Sequence, residues 1–243
     1  MIFVGACLSM FASAQTRVKV ETEYGDLFLK LYDDKAPVTV ANFIAYVERG
    51  DYDKAVFHRS IEGFVLQTGG FKLSSSGGGR LLDNVSVRAP IKNESGISNL
   101  RGTLAMAKKD GDPDSATSQW FINLDDNSER LDILNGGFTV FGQVENMDVV
   151  DEIVKTRIIN VGGAHAHLPI KDLSHPDSSG ATDATNIKQQ DLIVMNKVSV
   201  VTGPSSITLV LIVAGSVLLG SFLLIRHKKI QQDLSLMSPD RTE

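Results

Sequence analysis

Arg59 has the strongest chemical potential in this sequence, because it stands at strand spacing among aromatic and polar neighbours. The stretch reads Phe57-His58-Arg59-Ser60-Ile61-Glu62-Gly63-Phe64-Val65-Leu66-Gln67-Thr68-Gly69-Gly70. Alternation with period two places Phe57 and Arg59 on one face and His58 on the other. After a turn at Glu62-Gly63, Phe64, Leu66 and Thr68 share one face, and Val65 and Gln67 the other. A lone arginine between strands is ordinarily a solvated charge. A guanidinium held in a fixed position can act as a preorganised donor, worth about 3–4 kcal/mol to a developing charge. His58 alternates away from Arg59 and is expected to pack rather than react. Downstream come Leu104-Ala105-Met106-Ala107, Ser118-Gln119-Trp120-Phe121-Ile122-Asn123 and Phe138-Thr139-Val140-Phe141-Gly142.

Rival sites are weaker. Asp110-Gly111-Asp112-Pro113-Asp114 spaces its acids as a calcium loop does, but Ser115 stands where that loop needs Gly and Phe121 where it needs Glu. It reads as a turn. His165, His167 and His175 share one loop and could bind a metal ion; surface histidines are the plainer reading, and no metal site is expected. Ser74-Ser75-Ser76-Gly77-Gly78-Gly79 lacks the Gly-Lys-Ser/Thr of a phosphate loop. The sequons at Asn84 and Asn93 matter only in a host that glycosylates.

The elements that must position these residues are mostly strands. Val18 and Val20, a turn at Glu23-Tyr24-Gly25-Asp26, then Leu27, Leu29 and Leu31 make a hairpin with one buried face. Further extended runs are Ala55–Arg59, Phe64–Thr68, Thr103–Ala107, Gln119–Asn123, Thr139–Val144 and Leu192–Val200. Val40, Phe43, Ile44 and Val47 have helical spacing between Pro37 and Gly50. A second helix is expected over Met147–Thr156, with Asn146 as N-cap and Val149, Val150, Ile153 and Val154 on its apolar side. The whole suggests a mainly β fold, a closed eight-stranded antiparallel barrel with a helix over each open end.

Composition bounds the function. The 243 residues carry Lys+Arg 24 against Asp+Glu 29, a net charge of −5, which argues against a nucleic-acid binder. Hydrophobic content of 42% excludes wholesale disorder. Cys7, the single cysteine, excludes an internal disulfide framework and a cysteine-rich zinc site.

Apolar residues pile up at both ends. Ile2 to Ala12 followed by Ala12-Ser13-Ala14 is predicted to be a signal peptide, residues 1–14, cut after Ala14. No Lys or Arg precedes it, and a buried N-terminal strand or helix is the alternative. A lipoprotein reading through Val4-Gly5-Ala6-Cys7 is weaker, because the apolar stretch before Cys7 is too short. Cleavage would remove the thiol, which fits an oxidising compartment. Ile207 to Ile225 is uncharged and, at 1.5 Å per residue, long enough for a hydrocarbon core of roughly 30 Å. Arg226-His227-Lys228-Lys229 follows and is expected to stay cytoplasmic. A core helix is the alternative, disfavoured by the lack of a polar face. The expected layout is a leader at 1–14, an exported domain at 15–204 with an insertion at 171–190, a transmembrane helix at 205–225 and a cytoplasmic tail at 226–243. A bacterial periplasm, with the protein held on the inner membrane, is the preferred location.

The pattern FHRxIxGFxxQxGG, followed in order by LAMA, SQWFIN and FTVFGQV, resembles the cyclophilins, a family of peptidyl-prolyl isomerases, over about Val18 to Ser199. The resemblance implies an eight-stranded barrel capped by two helices. It implies that Arg59 is the catalytic arginine, that Phe64, Val65, Phe121 and Leu134 line a proline pocket, and that Gln67 steadies the arginine and the peptide. Ala107 and Lys108 fall where the family's backbone pairs with bound peptide. Phe138 stands where a histidine is common, and Ile133 at a tryptophan position of eukaryotic members; both changes leave a proline pocket but put strong cyclosporin binding in doubt. The chemistry suits these residues. An X-Pro bond rotates over a barrier of roughly 18–20 kcal/mol and unaided takes tens to hundreds of seconds. In the twisted state the proline nitrogen regains a lone pair to which a fixed guanidinium can donate, while the pocket holds the ring. No cofactor is needed. The expected partners are proline-containing segments of client proteins, with the membrane as anchor and the chain a monomer. Two other classes remain open: a non-catalytic peptide-binding module or holdase, and an adhesive ectodomain using Lys171–Gln190.

Overall fold

A computed structural model describes residues 15–75, 80–171 and 187–201 of the chain. The expected hairpin forms from β1 (Arg17–Thr22) and β2 (Gly25–Leu31), with Thr22 opposite Gly25 at the turn. Val18, Val20, Leu27, Leu29 and Leu31 are fully buried, while Lys19 and Asp26 pair on the other face at 2.9 Å. Gly25 has φ +121, and a Cβ there would come within 3.2 Å of Val149, so the turn needs glycine.

Helix α1 (Pro37–Glu48) starts with proline and buries Val40, Phe43 and Val47. Ala36 gives it no side-chain cap. Instead the Glu94 carboxylate, far along the chain, accepts hydrogen bonds from the Val38 and Thr39 N–H groups and the Thr39 hydroxyl. An acid is favoured there by the unpaired N–H groups and the helix dipole.

The chain continues through β3 (Ala55–Val56), β4 (Arg59–Ile61), β5 (Val65–Thr68), β6 (Phe71–Leu73), β7 (Leu82–Asn84), β8 (Thr103–Met106) and β9 (Trp120–Asn123). The short helix α2 (Ser128–Leu131), β10 (Val140–Val144), α3 (Met147–Val154), β11 (Arg157–Ile159) and β12 (Leu168–Ile170) follow, then β13 (Val194–Met195) and β14 (Lys197–Val201). Eight strands form one antiparallel sheet in the order β14-β1-β2-β10-β8-β9-β5-β4.

The ladders among the described residues differ from the expected single closed barrel. The sheet is curled but ends on β14 and β4, which do not pair with each other, and β13-β3-β6-β7 and β11-β12 form separate ladders. Two runs expected as continuous strands are broken. Ala55–Arg59 divides at Phe57-His58, so β3 joins the four-stranded sheet and β4 the eight-stranded one. Leu192–Val200 divides at Asn196, whose N–H donates to the Glu21 carbonyl, so β13 and β14 also part. Strands β6, β7, β11 and β12 and helix α2, each of three or four residues, lie outside the sequence expectation.

Phe43 sits at the centre of the main core, with ring centroids 5.4 Å from Tyr52, 5.5 Å from Trp120 and 5.1 Å from Phe141. Helix α3 buries Val149, Val150 and Ile153 against the same cluster and stops at Val154. Asn146 occupies its N-cap position, but the side chain clamps β2 instead: Oδ1 accepts from the Phe28 N–H and Nδ2 donates to the Asp26 carbonyl. Among the described residues no helix is long and apolar enough to cross a membrane. The predicted leader, most of the insertion, and the predicted span with its tail lie outside the described residues.

Candidate active site

Strand alternation divides two apolar clusters between the faces of the large sheet. Leu66, Leu104, Met106, Trp120, Ile122 and Phe141 enter the main core, whereas Val65, Ala105, Phe121 and Val140 build a second cluster. Register then lines up one row across five strands: Arg59 opposite Gln67, Gln67 opposite Phe121, Phe121 opposite Ala105, Ala105 opposite Val140. A charged residue, a carboxamide and an apolar floor therefore share one face.

A cavity of about 220 Å³ lies over this row. All nine residues assigned from the sequence to catalysis or peptide binding line it. Arg59, Phe64, Val65 and Gln67 come from β4, β5 and their turn, and Ala107 and Lys108 follow β8. Phe121 comes from β9, and Leu134 and Phe138 from the loop before β10. Asp110, Arg130 and Leu131 complete the lining. A second cavity of about 190 Å³ shares Gln67, Ala107 and Lys108 and adds Lys109, Ser115, Thr117 and Gln119.

Arg59 is half-buried. Its Nη1 donates to Gln67 Oε1 at 3.3 Å, and Gln67 Nε2 donates to Gln119 Oε1 at 2.8 Å. Burial first, and then the like charge of Arg130, lowers the Arg59 pKa from its ordinary value. Both guanidiniums lie by the Phe64 ring, Arg59 at 5.7 Å and Arg130 at 5.2 Å from its centroid. Phe64 departs from the expected alternation, which paired it with Leu66. It belongs to the turn closed by its own N–H on the Ile61 carbonyl, where Gly63 has φ +65, and so it faces the cavity with Val65.

A buried amide chain fixes this turn from behind. Asn127 Nδ2 donates to the Phe64 carbonyl and to Asn123 Oδ1, and Asn123 Nδ2 donates to Asn99 Oδ1 and Thr103 Oγ1. Asn127 also precedes α2, so the same residue positions Phe64 and Arg130.

The far wall is held by Lys108. Its Nζ donates to the carbonyls of Asn135 (2.7 Å) and Gly137 (2.6 Å) and lies 4.9 Å from the Phe138 ring centroid. Burial lowers its pKa, partly opposed by Asp114. Asn93 braces the same loop, donating to the Gly136 and Gly137 carbonyls and accepting from Thr139, so this sequon side chain is already engaged. Phe138 meets Phe121 edge to face at 5.8 Å. Leu134 is 45% exposed at the rim, while Ile133 is 77% exposed and outside the lining. The Ala107 N–H is spent on the Gln119 carbonyl.

His58 packs as expected. It is 1% exposed, its ring lies 5.0 Å from Phe71, and its Nδ1 has no partner. Burial, reinforced by His165, lowers its pKa to about 4. His165 meets Phe71 edge to face at 4.4 Å, the His167 carbonyl accepts from the Ser60 N–H, and His175 lies outside the described residues. Asp112 and Asp114 spend carboxylate oxygens on the N–H groups of Asp114 and Asn93. Among the described residues no group of three His, Cys, Asp or Glu could hold a metal ion.

Sequence reasoning missed Gln119 and Arg130. Gln119 was within reach, since period two puts it on the face of Phe121. Arg130 carried no signal, because a four-residue helix has no periodicity to read.

Comparison with known proteins agrees with this architecture. The family profile described as Cyclophilin type peptidyl-prolyl cis-trans isomerase/CLD matches residues 17–174. A protein of Acinetobacter baylyi named peptidyl-prolyl cis-trans isomerase is 40% identical over 176 residues, covering 70% of this chain and 87% of that protein. The Escherichia coli protein named peptidyl-prolyl cis-trans isomerase B is 41% identical over 167 residues, covering 64% and 94%. Among solved structures, a cyclophilin-type peptidyl-prolyl cis-trans isomerase of Cryptosporidium parvum, determined in the presence of the dipeptide Ala-Pro, superposes with a TM-score of 0.54 at 21% identity. It covers 77% of this chain and 99% of that one.

Proposed function

The chain belongs to the cyclophilin-type peptidyl-prolyl cis-trans isomerases, and on that premise we propose that its catalysis takes place in the cavity over the Arg59–Phe121 row. One observation carries the reading: nine residues chosen from the sequence converge on one concave site, with the guanidinium at one side of an apolar floor. The substrate's proline ring enters against Phe64, Phe121, Leu134 and Phe138, which exclude water from it. As the amide twists, the proline nitrogen gains lone-pair character, and Arg59 donates to it. Gln67 holds the guanidinium in that direction, so little reorganisation is needed at the transition state. The Ala107 N–H is already engaged, so peptide pairing at this edge falls to the Ala107 carbonyl and the Lys108 backbone.

The same proposal places the protein outside the cytoplasmic membrane, acting on exported client proteins. The apolar leader at 1–14 and the uncharged stretch Ile207–Ile225, followed by basic residues, support that placement.

Two measurements test these claims. Titration with an Ala-Pro peptide should move the amide resonances of Lys108, Phe121 and Phe138, and catalytic amounts of protein should accelerate cis-to-trans relaxation of a proline tetrapeptide. Binding without acceleration would leave a peptide-holding module instead. Protease added to cells with a permeabilised outer layer should degrade the domain and spare the tail; full protection would overturn the location.

A further inference from the structure

The rim of the cavity carries more positive charge than donation to a proline nitrogen requires. Arg59 and Arg130 lie by the same Phe64 ring, and Lys108 stands on the wall. Asp110 is the one acid among the described residues of that lining. None of the three cations appears in the ion pairs of the described residues, although other arginines there pair with carboxylates, as Arg17 does with Glu145 and Arg101 with Asp151. Lys108 is committed to two carbonyls. Arg130 is exposed, and its guanidinium meets Phe64 with no carboxylate partner among the described residues.

This concentration carries an electrostatic cost. Arg130 acts on Arg59 as a like charge, and like charges at close range each raise the cost of the other. Its persistence in a chain of net charge −5 is not explained by general surface basicity. Nor is Arg130 loosely placed: Asn127, bonded to the Phe64 carbonyl and to Asn123, fixes the start of its helix against the cavity. An anion entering beside the proline would relieve the repulsion and meet a fork of donors suited to a carboxylate.

We propose that this site selects segments bearing an Asp or Glu side chain within one residue of the proline, and that Arg130 is the specificity-determining residue. The proposal rests on the location of catalysis given above. Arg59 keeps its role at the reacting nitrogen, while Arg130, on the α2 side of Phe64, attracts and orients the acidic neighbour. The charge acts on binding, so it appears in KM more than in kcat.

The test uses the purified full chain and matched proline tetrapeptides carrying Glu, Gln or Lys, first before and then after the proline. At one of those positions the unmutated protein should show kcat/KM about threefold to fivefold higher for Glu than for Gln, the range of an exposed ion pair, with Lys lowest. Arg130→Gln should bring the Glu-to-Gln ratio to about one, Arg130→Glu should invert it, and Arg130→Lys should keep part of it. The ratio should also shrink at about 1 M salt, where the screening length is about 3 Å. Acceleration of all peptides with a ratio of one at both positions would overturn the selectivity and leave the isomerase site standing. A preference that survives Arg130→Gln would overturn the role of Arg130. No acceleration of any peptide would overturn the site assignment and the selectivity together.

Discussion

Gln119 accepts a 2.8 Å hydrogen bond from the Gln67 amide, and that bond decides which end of Gln67 faces Arg59. With Nε2 committed to Gln119, Gln67 presents Oε1, the only end able to accept from a guanidinium. Gln119 thus acts on Arg59 through Gln67. Gln119→Leu is expected to lower kcat/KM about tenfold, equivalent to about 1.4 kcal/mol, while Tm moves by less than about 4 °C. Gln119→Glu keeps an acceptor for Gln67 and should restore most of the loss. Equal activity in the Leu variant would show that Gln67 needs no such partner.

Lys108 shapes the pocket through its side chain, since its ammonium ties down the carbonyls of Asn135 and Gly137 between Leu134 and Phe138. Lys108→Met retains the apolar stem and removes the donor. The expected result is a rise in KM of about threefold to tenfold, in line with the net worth of one hydrogen bond, with kcat changing less. Lys108→Arg should recover part of the affinity. An unchanged KM for the Met variant would mean that the loop holds its position without the Lys108 ammonium, through Asn93 and the Asn135 bond to the Lys109 carbonyl.

His58 makes stability depend on pH. Its folded pKa of about 4 lies below the ordinary 6.5, chiefly through burial and then through His165. Between those values the unfolded chain binds a proton that the folded one does not, so stability rises with pH across that window. The effect is full above pH 6.5, is lost as pH falls towards 4 and levels off below it, with a total of about 3 kcal/mol. Denaturant unfolding from pH 4 to 7 should show this slope, and His58→Phe should remove its share. A His58 resonance titrating near 6.5 would contradict the burial argument.

The sequence made the site more legible than the barrel, for a physical reason. Arg59, Gln67 and Phe121 stand in one row because strand side chains alternate with a period of two, and that period is visible in the residues themselves. The division between β3 and β4 is not, because Phe57 and His58 have the composition of a strand and only the positions of Ile193 and Gln67 bend the chain there: the Phe57 N–H donates to the Ile193 carbonyl and the His58 N–H to that of Gln67. Remote side chains were equally hidden. Glu94 capping α1 and Asn146 clamping β2 reach across large separations in sequence, and no local pattern marks either. Phe64 shows the reverse failure, since the period was applied one residue too far into a turn.

On the proposed mechanism, Arg59 supplies the charge that stabilises the twisted amide. This role is tested most directly by cis-to-trans relaxation of a proline tetrapeptide with the unmutated protein and with Arg59→Ala at matched folding stability. The variant is expected to lose about a hundredfold to a thousandfold in kcat/KM while still binding the peptide. Equal acceleration by both proteins would contradict it.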